Sequence, residues 1–275
     1  MEPTNIVKDH YDRDGLVEAL SAALAKAGLG DKQLDTKVLA ALDQFHSRGL
    51  AATVELARDL NLGPAIRVVD IGSGIGGPSR YLAETFGCSV HGIDLSRSFV
   101  EVANYLAERS GLSDKVTYEY GNALALPYAD GAFDVAWTQH VAMNISDRPR
   151  LYAEAFRVLR SGGRFAIFDV VAGSGEPLHF PVPWASVPEA SFLLSAAEMS
   201  AALTAQGFRV SVWSDTTDAG VAWFEERERE RVAGVTPPIG IQAIRGPNFA
   251  AEVGNLRRNL IEGRAALIQA ICEKP

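Results

Sequence analysis

Residues 66–80 read IRVVDIGSGIGGPSR, and the fold turns on this stretch. Ile66, Val68, Val69 and Ile71 have the β-branched composition of a strand buried on both faces, as in a parallel sheet. Gly72, Gly74, Gly76 and Gly77 then let the backbone turn tightly and approach a ligand with no Cβ in the way. Pro78 fits a first helical turn, where its missing N–H costs no hydrogen bond, and Tyr81, Leu82, Ala83 and Phe86 carry a helix to Gly87. Strand, glycine turn and helix in this order predict a site for a nucleotide-like ligand.

The next unit strengthens that expectation. Residues 88–94, CSVHGID, read as a second strand, and Asp94 follows Asp70 by 24 positions. That is near the roughly 20-residue interval that sets a carboxylate against a ribose hydroxyl pair. The competing use of Asp94 is as a cap for the helix that follows. Two ligand classes fit the turn: a dinucleotide, whose pyrophosphate would meet the helix N-terminus, and S-adenosylmethionine, whose amino-acid end would lie against the glycines.

Length and composition bound the rest. The 275 residues can form one large α/β domain with decorations, and 47% apolar content supplies a sizeable core. With 26 basic against 34 acidic side chains the net charge is −8, which argues against a nucleic acid or an anionic membrane as partner and for a small molecule. Cys88 and Cys272 are the only cysteines, neither in C-x-x-C nor in a zinc-like spacing, so no metal site and a reducing compartment are expected. MEPTNIVKDH lacks the basic start and apolar core of a signal peptide, and no apolar run reaches a membrane-spanning length, which together predict a cytoplasmic protein.

Residues 1–60 show helical spacing in Leu16, Leu20, Ala23, Leu24 and Ala27 and again in Ala51, Val54, Leu56 and Leu60, predicting a helical N-terminal cover. Between these lies LDQFHSRGL, residues 42–50, with Gln44, Phe45 and His46 side by side. Residues 61–275 are expected to form the main domain, in which strand and helix patterns alternate as βαβ units. KVTYEYG (115–121) is strand three, FDVAW (133–137) strand four, and 147–159 a helix. Ser161-Gly162-Gly163 reads as a stop and turn before strand five at 164–170. Residues 171–195 hold Pro177, Pro181, Pro183 and Pro188 among aromatics, and are read as a lid over the site, with plain surface packing as the alternative. A helix at 198–206, strand six at 208–213, a solvated charged face at 225–231 (EERERER), a helix at 250–260 and a last strand at 265–272 complete a seven-stranded, mostly parallel, Rossmann-like sheet with helices on both faces.

With these elements in place, the chain resembles a class I S-adenosylmethionine-dependent methyltransferase. The resemblance rests on DIGSGIGG at 70–77, GID at 92–94, GNALALP at 121–127, FDVAWTQH at 133–140 and RVLRSGGRF at 157–165. LDQFH at 42–46, QHVAMNI at 139–145 and FPVPWA at 180–185 narrow it to the branch of sarcosine and dimethylglycine methyltransferases and of tocopherol and sugar O-methyltransferases. Asn122 departs from the aspartate usual after strand three, but its carbonyl still accepts a hydrogen bond from an adenine amino group.

The resemblance implies S-adenosylmethionine as cofactor, S-adenosylhomocysteine as product, a small-molecule methyl acceptor, and a monomer or homodimer. Gly72, Ser73 and Gly74 would contact the amino-acid part of the cofactor, with Gln44 and Gln139 also cofactor-binding and Asp70 orienting the turn or reaching the ammonium through water. Asp94 would hold the ribose, Leu95 the adenine face, and Asn122 with Ala123 the adenine edge. His140, paired with Asp169 at the end of strand five, would serve as base for a hydroxyl acceptor, while His46, Trp137, Asn144, Phe180 and Trp184 would line the acceptor pocket. The aromatic trio of Trp137, Phe180 and Trp184 would also suit a cationic methylammonium. A nicotinamide-dependent oxidoreductase is the competing activity, although no tyrosine is followed four positions later by lysine.

Overall fold

The computed structural model describes residues 13–245 and 249–275, so the first part of the N-terminal cover and the MEPTNIVKDH reading lie outside the described residues. Among the described residues, seven strands form one sheet in the order β3-β2-β1-β4-β5-β7-β6. These are β1 (Arg67–Ile71), β2 (Ser89–Asp94), β3 (Val116–Tyr120), β4 (Phe133–Gln139), β5 (Leu159–Ala172), β6 (Arg209–Asp215) and β7 (Ala265–Glu273). β1 pairs in parallel with both β2 and β4, and β7 runs antiparallel between β5 and β6. The order reverses at β1, and in open α/β sheets ligands bind at that switch point, outside the carboxyl ends of the strands.

Nine α-helices are seen among the described residues: α1 (Leu16–Lys26), α2 (Thr36–Asp43), α3 (Gly49–Arg58), α4 (Gly77–Phe86), α5 (Arg97–Arg109), α6 (Arg148–Val158), α7 (Ala196–Ala205), α8 (Thr217–Val232) and α9 (Phe249–Ile261). One face of the sheet packs Leu56 of α3, Leu82 of α4, Phe224 of α8 and Leu256 of α9 against Val68, Trp137 and Phe168. The other packs Leu151 and Tyr152 of α6 and Leu203 of α7 against Val69, Phe165 and Ile167. The alternation of Val68 and Val69 between these two cores is the period-2 geometry of a strand buried on both sides. A third cluster, with Leu20 and Leu24 of α1, Leu39 and Leu42 of α2 and Phe99 of α5, closes over Ile75 and roofs the glycine turn.

Two local readings need correction. β5 begins at Leu159, so Ser161-Gly162-Gly163 lies within it; the register slips from Phe133↔Leu159 to Val135↔Arg164, and Gly162 takes φ 72° where the extra residues loop out. β5 also runs to Ala172, which moves the start of the proline-rich insertion to Gly173. That insertion is held to α9 by side-chain amides. Asn259 accepts from the His179 amide and donates to the His179 carbonyl, and Asn255 donates to the Pro181 carbonyl at 2.9 Å. The EERERER face is exposed and internally paired: Glu226 with Arg229, Arg227 with Glu230 and Glu228 with Arg231.

Candidate active site

The glycine turn is tied to the tip of β2. The amides of Gly72 and Ser73 both donate to the Ile93 carbonyl, at 2.8 and 3.1 Å. The Asp94 carboxylate bridges the two strand ends, accepting from the Gly74 amide at 2.8 Å and the Ser96 amide at 2.9 Å. Asp94 therefore faces the turn and also organises the start of α5. The glycines divide by cause. A Cβ at Gly72 would overlap Val141, one at Gly76 would overlap the Tyr118 ring, and one at Gly77 would strike the Asp43 carbonyl; only open space surrounds Gly74, at φ 54°. Protein packing requires the first three, and Gly74 leaves its face open to a ligand.

Under the turn, Asp70 is buried and accepts from the Ser79 hydroxyl at 2.6 Å. Burial raises its pKa to about 7, outweighing the Ser79 hydrogen bond, with Asp94 adding a smaller push in the same direction. Asn122 uses its side-chain carbonyl to accept from the Leu124 amide at 2.9 Å, which holds the loop after β3 in an Asx turn and leaves one further lone pair on that oxygen.

Across from the turn, α2, α3 and the end of β4 bring a polar cluster together. The Thr53 hydroxyl sits at its centre, 2.7 Å from Gln44 Oε1, 3.2 Å from Gln139 Oε1 and 3.1 Å from His46 Nε2. Trp137 Nε1 donates to the same Gln139 oxygen at 3.0 Å. With both carboxamide oxygens engaged, Gln44 Nε2 and Gln139 Nε2 are buried donors without a protein partner, as is Ser73 Oγ at the turn. His140 Nε2 and Asn144 Oδ1 are likewise buried and unpartnered. Such groups are costly to bury alone, which is the mark of a site completed by a ligand or water.

The two histidines are neutral. Burial lowers the pKa of His46 to about 4 despite its bond to the Gly49 carbonyl, and burial with the neighbouring His46 holds His140 well below the usual imidazole value. Their rings lie 6.0 Å apart, and the His140 ring stacks at a tilt on Phe168 at 4.8 Å.

The glycine turn, Asp94, Gln44, Gln139 and the two histidines open on one cavity of about 930 Å³, near the upper end of the ~300–1,000 Å³ usual for small-molecule sites. It brings together the expected cofactor residues, from Asp70 and Gly72 through Asp94 and Leu95 to Asn122, Ala123, Gln139 and Gln44. His46, His140, Asn144 and Trp184 line it as well. Three expected residues do not. Asp169 follows Phe168 in β5, so its side chain falls on the opposite face of the sheet, where its carboxylate accepts from the amides of Ala142 and Val170 near Arg148; it is not a partner of His140. Trp137 shares a face with Gln139 but lies one pleat deeper and is wholly buried. Phe180 packs against the core beneath the insertion. Thr53, Trp223 and the buried Arg80–Asp43 pair had no signature in sequence, because each owes its place to helix packing rather than to a motif.

The donor set fits the cofactor that the resemblance implies. Two free amide donors suit a carboxylate, Asp94 suits a diol, and the Asp70 carboxyl suits a nearby cation, which favours its ionised form.

Comparison with known proteins agrees. Residues 69–167 match the family described as a methyltransferase domain. Methyltransferase GfsG of Streptomyces halstedii is 37% identical over 130 residues, covering 47% of this chain and 47% of that protein. Sarcosine/dimethylglycine N-methyltransferase of Halorhodospira halochloris is 39% identical over 119 residues, 42% of this chain and 43% of its own length. The chain thus matches about half the length of these curated relatives. Geranyl diphosphate C-methyltransferase of Streptomyces coelicolor A3(2) shares the fold, with TM-score 0.72 at 20% identity over 100% of this chain and 99% of that one. The chain thus has the fold of solved methyltransferases, and its residues 69–167 match a methyltransferase domain.

Proposed function

We propose that the protein transfers a methyl group from S-adenosylmethionine to a small-molecule acceptor by in-line displacement. The observation that carries this reading is the Asp94 carboxylate bridged to the open Gly74, opposite the unpartnered amides of Gln44 and Gln139. When bound, the cofactor supplies an electrophilic methyl on a sulfonium. Gly74, Gln44 and Gln139 hold its amino-acid end, Asp94 its ribose, and Leu95, Asn122 and Ala123 its adenine. Asp70 orients the turn through Ser79 and offers a negative charge to the ammonium.

His140 and His46 stand on the acceptor side of the polar cluster, where a neutral imidazole accepts a proton without repelling the sulfonium. Holding the acceptor in line and excluding water supplies about 7 kcal/mol or more of the barrier reduction in reactions of this type. The helices of residues 13–60 roof the turn, and the insertion from Gly173 closes the acceptor side through Trp184. Cys88 and Cys272 are buried and unpaired, which suits a reducing, cytoplasmic setting.

The test is Asp94→Ala. Loss of hydrogen bonds to a charged group predicts a decrease of about 1.5–3 kcal/mol in calorimetric affinity for S-adenosylhomocysteine, and unchanged affinity contradicts the assignment.

A further inference from the structure

The cavity is larger and more apolar than the polar cluster requires. Beyond His140, its wall is made by Trp184 of the insertion, Trp223 and Phe224 of α8, and Phe249, Val253 and Leu256 of α9. The segment after α8 forms one lip, where Val235 lines the cavity while remaining 61% exposed. An apolar side chain left in solvent at the mouth of an apolar cavity suits a ligand that covers it.

The arginines on the wall are each paired with a carboxylate. Arg48 pairs with Glu55 at 2.5 Å, Arg227 with Glu230 at 2.7 Å, Arg231 with Glu228 at 2.8 Å and Arg245 with Glu252 at 2.7 Å. Lys37 lies at the rim on an exposed face of α2. A phosphate-bearing acceptor would have to break one of these pairs or rely on Lys37 alone, at the solvent rim. A methylammonium acceptor fares no better: of the three aromatics expected to cradle it, Trp137 and Phe180 are not on the wall, and Glu230 is already paired.

Resting on the methyltransferase reading above, we propose that the acceptor is a large, mainly apolar molecule that presents a neutral hydroxyl to His140, selected by apolar contact with Trp223, Val253 and Leu256. The acceptor oxygen forms its bond to the methyl carbon as the carbon–sulfur bond breaks. The bonding pair stays on sulfur, giving the neutral thioether, and the hydroxyl proton passes to Nε2 of His140 and then to solvent. Nε2 has no protein partner, so it is free to receive that proton. Its neighbours are the Phe168 ring and neutral His46, so the charge is short-lived and the base resets before the next turnover.

The test uses the full chain saturated with S-adenosylhomocysteine and titrated with N-phenyl-1-naphthylamine, a neutral apolar fluorophore. Saturable binding is expected, weakened about tenfold or more by Leu256→Glu, which places a charge in the apolar wall. Trp223→Ala, at a half-buried position less critical for folding, should weaken it in the same direction. S-adenosylhomocysteine affinity should stay within about twofold in both variants, which also reports that they fold. With labelled cofactor, hydroxylated apolar probes such as estradiol or a chromanol should take label in preference to sarcosine and phosphoethanolamine. Absence of fluorophore binding to the loaded protein, or higher kcat/KM on either small amine, overturns the proposal. Fluorophore binding without any S-adenosylhomocysteine binding overturns the underlying methyltransferase reading as well, and the two failures are told apart by that titration.

Discussion

His140 holds a left-handed backbone, φ 53°, directly after β4, with its amide donating to the Phe168 carbonyl at 2.7 Å. A non-glycine residue in that region stores strain, and such positions cluster at functional sites. Replacing it tests its role: His140→Ala is expected to lower turnover on a hydroxyl acceptor by about 10²-fold or more while changing cofactor affinity little. Equal turnover in variant and parent removes it as the base. Asp70 makes a pH prediction. Its pKa in the fold, about 7, lies above the ordinary 3.8, so the folded chain keeps a proton that the unfolded chain has lost. Its contribution to stability is full below the ordinary carboxylate value and is lost as pH rises through 7. A cationic ligand favours the ionised form, so binding releases the proton, and affinity for S-adenosylhomocysteine should rise between about pH 6 and about pH 8. That dependence should flatten in Asp70→Asn, as read by calorimetry. Individual residues were legible where backbone geometry defined them: Gly74 and Asp94 follow from strand ends. Asp169 and Trp137 were misplaced because position along a strand does not by itself give face and depth.

At the level of elements, α2 and α4 are locked by a buried ion pair. Arg80 Nη2 donates to Asp43 Oδ2 at 2.8 Å and its Nη1 to the Ile75 carbonyl at 2.8 Å, with both side chains out of solvent. Burial raises the Asp43 pKa to about 6 although Arg80 opposes it, so the pair lies near its desolvation limit. The Asp43 carbonyl also occupies the space a Cβ would need at Gly77. The pair therefore fixes the distance between the roof and the glycine turn. Arg80→Met should cost about 3–5 kcal/mol in urea unfolding by stranding Asp43, and adding Asp43→Leu should recover much of it. An unchanged unfolding midpoint contradicts this role. In sequence, Arg80 reads as an ordinary helix residue after Ser79, since nothing local signals that the roof descends onto it. The regular βαβ units were legible because a strand or helix announces its own period. The bulge in β5 was not, because Gly162 looks the same in a turn and in a looped-out strand.

The whole molecule joins two parts of different legibility. The strand-end half of the cavity, from Asp70 to Ala123, is written in contiguous motifs. The acceptor half is assembled from α3, α8, α9 and the insertion, which lie far apart in the chain and meet only through packing on the sheet. Thr53 shows the difference: it links Gln44, His46 and Gln139, yet it is one threonine in an unremarkable helix. The residues that line the strand-end half were therefore open to sequence reasoning, while those of the other half depend on tertiary closure. On the reading proposed above, the turn between β1 and α4 and the Asp94 carboxylate hold an adenosyl amino acid rather than a dinucleotide. Calorimetric titration of the full chain with S-adenosylhomocysteine and, separately, with NADH distinguishes the two ligands. Saturable one-site binding of S-adenosylhomocysteine with no heat from NADH is the predicted result; tight binding of NADH, with none of S-adenosylhomocysteine, contradicts it.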